Sequence, residues 1–177
     1  MQKKHAPKKL ARIKKPKVVK DSVVAFNYVM KNSKGRIVSQ TGPDEVIEYI
    51  HGHQQIIPGL EELMKNKSIG YRFKGVIKPE KAYGNKPPKK ELRKHAYFYD
   101  LAKAKMAGTA LTTGTEIGLL DKKDNEHLFY VVCVNQNTAV LSDIHPLAGV
   151  ELAVEGRITN IRKTESKEIK TGELESI

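Results

Sequence analysis

The chain has a single cysteine, lacks any apolar run of the roughly 18 residues that a membrane helix needs, and carries no acidic side chain before Asp21. Each shortage excludes something. Cys133 alone cannot close an intramolecular disulfide, and in the run LFYVVCV it reads as a small buried hydrophobe, which suits a reducing compartment. The basic N-terminus MQKKHAPKKLARIKKPK leads into no apolar segment, which argues against a secretory signal. The expected location is therefore the cytoplasm. The sequence shows no nucleophile–histidine–carboxylate constellation, no phosphate-cradling glycine loop and no internal repeat, so nothing in it calls for a cofactor.

What is present is charge of one sign at one end. Of the 32 Lys and Arg, nine fall in residues 1–20, leaving 23 basic against 20 acidic side chains in the remainder, a net of only +3. A self-repelling block of this kind is expected to be a disordered arm over 1–17 that reaches for a polyanion, with ribosomal RNA as the first candidate and Lys3, Lys4, Lys8, Lys9, Arg12, Lys14 and Lys15 as its contacts. A second basic stretch runs from Lys78 to Lys105 and is either a further contact surface or a solvated linker.

Past the arm the pattern is mostly that of strands. Val24, Phe26, Tyr28 and Met30 alternate in SVVAFNYVM, and a turn at Asn32–Gly35 leads into a short strand over 36–39. VIEYI (46–50) alternates as well. Pro58, followed by Glu61 and Glu62, marks a helix over about 58–66, apolar at Leu60, Leu63 and Met64. YRFKGVIK (71–78) alternates up to Pro79. From about Asn85 to Ser142 the texture changes: a Pro-Lys linker, the aromatic cluster Tyr97–Tyr99, two strands around a polar turn at 122–126 and a third at 137–143. A unit of under 60 residues is small for independent stability. A long alternating strand through Leu152, Val154, Gly156, Ile158 and Asn160 follows, and 165–177 reads as a polar, frayed tail.

Three motifs in order carry a resemblance: Ile56-Ile57-Pro58-Gly59-Leu60-Glu61, then Ala82-Tyr83-Gly84, then His145-Pro146-Leu147-Ala148-Gly149 before the closing strand. With Tyr49-Ile50-His51-Gly52-His53, they resemble FKBP-type peptidyl-prolyl cis-trans isomerases of the SlyD-like branch, over roughly 18–164. The resemblance implies an α+β fold, an antiparallel half-barrel around a short helix, built from 18–84 plus 143–164. It implies that this is interrupted by a small, mainly β insert-in-flap chaperone domain over 85–142. It also implies an isomerase pocket, with Tyr28, Ile57 and Tyr83 as catalytic residues. Val38, Ile47, Tyr49, Ile56, Leu60, Leu147 and Val154 would then be substrate-binding. Unfolded or nascent polypeptides with Xaa-Pro bonds would be the partners, held on the insert by Tyr97, Phe98, Tyr99, Leu119, Phe129 and Val131, and acted on by a monomer with no membrane partner.

Two departures from the family pattern bear on catalysis. Ser39 stands where an Asp is usual, and Val154 where an aromatic wall is usual, so activity below that of a typical relative is expected. His51 and His53 form the pair that metal-binding relatives use, but the His-rich tail of such relatives is missing from TGELESI, so no metal is assigned. The alternative to an isomerase-chaperone is a ribosome- or RNA-associated assembly protein on a catalytically weakened scaffold.

Overall fold

The computed structural model describes residues 15–101 and 111–174, so most of the arm, residues 1–14, lies outside the described residues. Strand β1 (Ser22–Asn32) is the axis of the larger sheet. Its first half pairs with β3 (Ile47–Ile50), from Val23↔Ile50 to Phe26↔Ile47, and its second half with β2 (Ile37–Gln40), both on one edge. Along the other edge runs β9 (Leu152–Lys163), in register from Ser22↔Lys163 to Asn32↔Leu152, and β4 (Arg72–Ile77) closes the sheet beyond it. The strand that returns from far along the chain is thus the one inserted between β1 and β4.

The helix α1 (Pro58–Met64) starts where Pro58 sits in its first turn and loses no needed N–H there. Leu60 and Met64 are buried against Phe26, Phe73, Leu152, Val154 and Ile158, the alternating apolar positions of β1, β4 and β9. Close approach sets the glycine: a Cβ on Gly59 would run into the Ile77 side chain of β4. Gly156 is held more tightly still, since a Cβ there would collide with the Asn27 carbonyl and the Phe73 ring.

The second sheet is antiparallel in the order β5 (Ala96–Asp100), β8 (Thr138–Ser142), β7 (Glu126–Val134), β6 (Glu116–Leu120). Its core is small: Val131, Ala139 and Leu141, with Tyr99, Ile117, Leu119 and Phe129 packed around them. Where the chain leaves and re-enters the larger sheet, the Gly149 N–H donates to the Gly84 carbonyl at 2.8 Å and ties the two crossings together. The whole is the α+β, largely antiparallel FKBP-like architecture with an added β unit.

Three expectations change. The aromatic cluster Tyr97–Tyr99 is itself a strand, β5, paired with β8. Cys133 is exposed, because the register slips between Val131 and Cys133 and the bulge turns the thiol off the core face. The tail is ordered at its start: α2 (Ser166–Thr171) has Glu168 buried, and its carboxylate accepts from Arg162 of β9, with Nη1–Oε2 at 2.9 Å.

Candidate functional site

A cleft of about 410 Å³ opens over the helix, lined by side chains from four separate stretches. Phe26, Tyr28 and Met30 come from β1, Ile47 from β3, Gln54 to Leu60 from the loop and first turn of α1, and Ala82 with Tyr83 from the turn after Pro79–Lys81. Alternation along β1 is what aims Phe26, Tyr28 and Met30 together. The Phe26 ring meets Tyr28 at 5.7 Å, Tyr49 edge-on at 5.6 Å and Phe73 at 6.2 Å, so an aromatic cluster underlies the floor.

Polar groups are few and lie at the rim or on the backbone. The Tyr28 and Ser39 hydroxyls are 2.7 Å apart. The Ile57 N–H has no acceptor among the described residues, while its carbonyl accepts from the Leu60 and Glu61 N–H groups. Tyr83 stacks flat on His145, with ring centroids 3.7 Å apart, and Tyr130 of β7 meets the same imidazole edge-on at 4.9 Å. Burial foremost, then the nearby Tyr28, Tyr130 and Glu116, pushes the Tyr83 hydroxyl pKa up and keeps it a neutral donor. On the far side of Tyr83 lies a second cavity of about 310 Å³, bordered by Leu128, Tyr130 and Ile144. Tyr83 therefore stands as a partition between the cleft and the β insert.

The structure brings Tyr28, Ile47, Ile56, Ile57, Leu60 and Tyr83 into one cleft. Val38 packs half-buried against the adjoining core. Leu147, half-buried, is outside the lining; its N–H donates to His145 Nδ1 at 3.0 Å. Two assignments need correction. Tyr49 is fully buried beneath the cleft, its hydroxyl 3.0 Å from His51 Nδ1, and its pKa is pushed up by burial. Val154 is a core residue under the helix and is not part of the cleft's lining. Tyr49 and Val154 sit on the core face of their strands, and alternation alone cannot tell core from cleft floor.

Sequence reading missed Gln54 and Gln55. Gln54 holds a left-handed backbone (φ 58°) at the cleft edge, a conformation that is costly for a residue with a Cβ. Gln55 accepts from the Ile50 N–H at 2.7 Å and donates to the Gly172 carbonyl at 2.7 Å, fastening the loop to β3 and to the end of α2. Polar residues beside the Ile-Ile-Pro-Gly turn were the available signal. His51 and His53 are engaged separately, the first with Tyr49, the second with Asp21 at 2.7 Å. Among the described residues no group of three or more His, Cys, Asp or Glu is placed to hold a metal ion.

On the insert, alternate residues divide between two faces. Val131 is core, and Tyr99, Leu119 and Phe129 pack on it. Tyr97 is partly exposed, its ring edge-on to Phe129 at 4.9 Å and its hydroxyl donating to Asp143. Phe98 is 79% exposed, joined by Leu120 at 68% and by Leu128, Val132 and Val134. So the expected client-binding set mixed both faces, and of its members Phe98 is the one fully open to solvent. Of the seven lysines and arginines expected as arm contacts, Lys15 alone is described, and it is exposed. No helix among the described residues is long and apolar enough to cross a membrane.

A cleft over a short central helix, framed by an antiparallel sheet of two distant chain segments, defines a class. The sequence pattern of the FKBP-type peptidyl-prolyl cis-trans isomerase family matches residues 14–100. The chain is similar to the isomerases named SlyD: 27% identical to that of Pasteurella multocida over 89% of this chain and 76% of the relative. The SlyD of Vibrio cholerae is likewise 27% identical, over 89% and 75%. That of Treponema pallidum is 35% identical across a shorter 68-residue stretch, 38% of this chain and 39% of the relative.

Proposed function

We propose that the cleft isomerises Xaa-Pro bonds by desolvation and twist. Amide resonance sets a barrier of about 18–20 kcal/mol to rotation about the peptide bond. Water stabilises the charge-separated planar form, and a dry apolar cleft does not. A prolyl ring seated over Leu60 and Phe26, against Ile56, leaves its amide among apolar walls. The Ile57 N–H then holds a substrate carbonyl and the Tyr83 hydroxyl donates to another, so binding favours the twisted amide over the planar one. No nucleophile, metal or proton transfer is needed. The observation that carries this reading is the convergence of Tyr28, Ile57 and Tyr83 on one cleft with the Ile57 N–H unused.

In the same proposal the chain divides into an isomerase domain, 18–84 plus 143–164, and a client-holding insert, 85–142. The client-facing surface is the open face of the insert sheet around Phe98, Leu120, Leu128 and Val132, since exposed apolar patches of a few hundred Å² mark binding sites. A protease-coupled prolyl-peptide assay, run beside aggregation suppression for the full chain and for a form lacking 88–141, tests it. Deletion should leave peptide turnover and remove aggregation suppression; unchanged suppression refutes the assignment of the insert.

A second reading is favoured by one observation, the nine cations without an acid in residues 1–20. It gives the chain an RNA-associated role through that arm, with the cleft secondary. RNA binding that weakens steeply with salt and disappears on removal of 1–17 would support it; binding indifferent to that removal would refute it.

A further inference from the structure

We infer that a third cavity, at the junction of the insert with the returning chain, is a subsite for one large apolar side chain of the same polypeptide whose prolyl bond occupies the cleft. The inference rests on the isomerase reading of that cleft. The cavity is about 430 Å³ and is walled by Leu92, Ala96, Val132, Val140, Ile144 and Ala148 among others. Leu92 belongs to a short turn of helix, Leu92–His95, that leads into β5 at Ala96. Val132 and Val140 come from β7 and β8, and Ile144 and Ala148 from the crossing back toward β9. Carbon makes up most of the wall. Three of the polar side chains in it are already engaged: Ser142 Oγ accepts from the Ile144 N–H at 3.1 Å, His95 Nδ1 lies 2.8 Å from an Asp143 carboxylate oxygen, and His145 Nδ1 accepts from the Leu147 N–H at 3.0 Å. A polar group entering would give up water for little return, whereas a leucine-sized side chain fits the room and the chemistry.

Continuity with the cleft makes the occupant part of the substrate. Tyr83 borders both the cleft and the middle cavity of about 310 Å³, and that cavity shares Tyr130, Ile144, His145 and Ala148 with the junction cavity. The three hollows thus follow one another, each sharing a wall with the next. Between the first and the last stand three rings in series, Tyr83 on His145 at 3.7 Å and His145 against Tyr130 at 4.9 Å. At about 3.3 Å per residue, an extended chain passes that stack in about three residues. A substrate with its prolyl ring over Leu60 therefore brings a side chain three or four residues away to the junction cavity. A free ligand or a second copy of the chain has no use for this connection.

The test follows prolyl exchange by NMR in alanine-based peptides with one proline, using the full chain. A leucine pair at the third and fourth residues from the proline, tried on each side, should on one side raise kcat/KM about tenfold over the all-alanine peptide. The gain should come through KM, because the subsite holds ground state and transition state alike. A glutamate pair at the same positions should give no gain. Ala96→Trp fills the cavity from β5, and Leu92→Gln sets an amide in its wall. Either should bring the leucine-to-alanine ratio close to one, with thermal melting to show that the variant is folded. Phe98→Ser with Leu120→Ser, on the open face and outside this lining, should keep the ratio of the parent. A leucine pair without effect on either side, a ratio that survives both cavity variants, or one lost in the open-face variant would overturn the inference. So would a mass that rises with concentration in the parent and not in Ala96→Trp, which would seat a second copy in the cavity. Turnover of the all-alanine peptide without leucine preference leaves the isomerase reading standing, whereas no turnover of any peptide removes both.

Discussion

The Tyr28 hydroxyl and the Ser39 hydroxyl lie 2.7 Å apart at the rim of the cleft. Two hydroxyls share one hydrogen bond there, and neither residue supplies a carboxylate. Ser39→Asp would give Tyr28 a charged acceptor, about twice as strong as a neutral one. The substitution should raise kcat/KM for a prolyl peptide several-fold, up to about tenfold for about 1.4 kcal/mol. Ser39→Ala should lower it modestly. Equal turnover in all three would detach this pair from catalysis.

The Tyr83–His145–Tyr130 cluster predicts an acid sensitivity with a definite sign. Burial foremost lowers the His145 pKa, and its Nδ1 already accepts the Leu147 N–H, so the native state holds the neutral ring. His51 is lowered by burial as well, with its Nδ1 facing the Tyr49 hydroxyl. Because each folded value lies below the unfolded one of about 6.5, the unfolded chain binds more protons as pH falls through that value. Stability is then full above about pH 6.5 and falls steadily as the pH drops toward the folded values. His145→Asn keeps a side-chain acceptor for Leu147 without a titrating ring. Melting temperature against pH should be flatter below pH 6.5 in that variant, and identical slopes would contradict the assignment.

The insert sheet separates buried from open apolar side chains by alternation. Phe98→Ser with Leu120→Ser should reduce aggregation suppression without lowering the melting temperature, since both side chains are already in water. Val131→Ala should cost about 2 kcal/mol, the transfer of two methylene equivalents plus a cavity. Aggregation suppression that tracks Val131 and ignores Phe98 would mean that the open face is not the holding surface.

How far the sequence carried depends on where its periodic signal ends. Strand periodicity and the Pro58 signal placed β1 to β4, α1 and the crossing into β9 within a residue or two, and the Ile-Ile-Pro-Gly and Ala-Tyr-Gly turns pointed to the cleft. Periodicity says that Tyr49 and Val154 face inward, but an inward face can be core or cleft, and only the helix packed over it decides. Cys133 escaped because a bulge resets alternation without any mark in the sequence. The helix α2 escaped because its start is capped by Glu165 and Glu168, outside the usual Ser/Thr pattern, and because its anchor is an ion pair with Arg162 on another element.

That ion pair supports the cleft at one remove. Glu168 is 1% exposed, and α2 ends where the Gly172 carbonyl accepts from Gln55 of the cleft loop. Glu168→Ala should destabilise the chain by about 3 kcal/mol, the low end for a broken buried pair because Arg162 keeps some solvent. Gln55→Ala should raise KM more than it lowers kcat, since the loop carrying Ile56 and Ile57 is loosened while its chemistry is retained. Denaturant melts and steady-state kinetics on the two variants separate these effects.

The most direct measurement replaces Ile57 by proline. Ile57 has φ −59°, which proline adopts without strain, so Ile57→Pro removes the unused N–H while keeping an apolar wall. With melting behaviour intact, kcat/KM for a prolyl peptide should fall about tenfold, the worth of one substrate hydrogen bond, while Ile57→Val stays near the parent value. Turnover at the parent rate in folded Ile57→Pro would contradict the claim that this cleft holds and twists the prolyl amide.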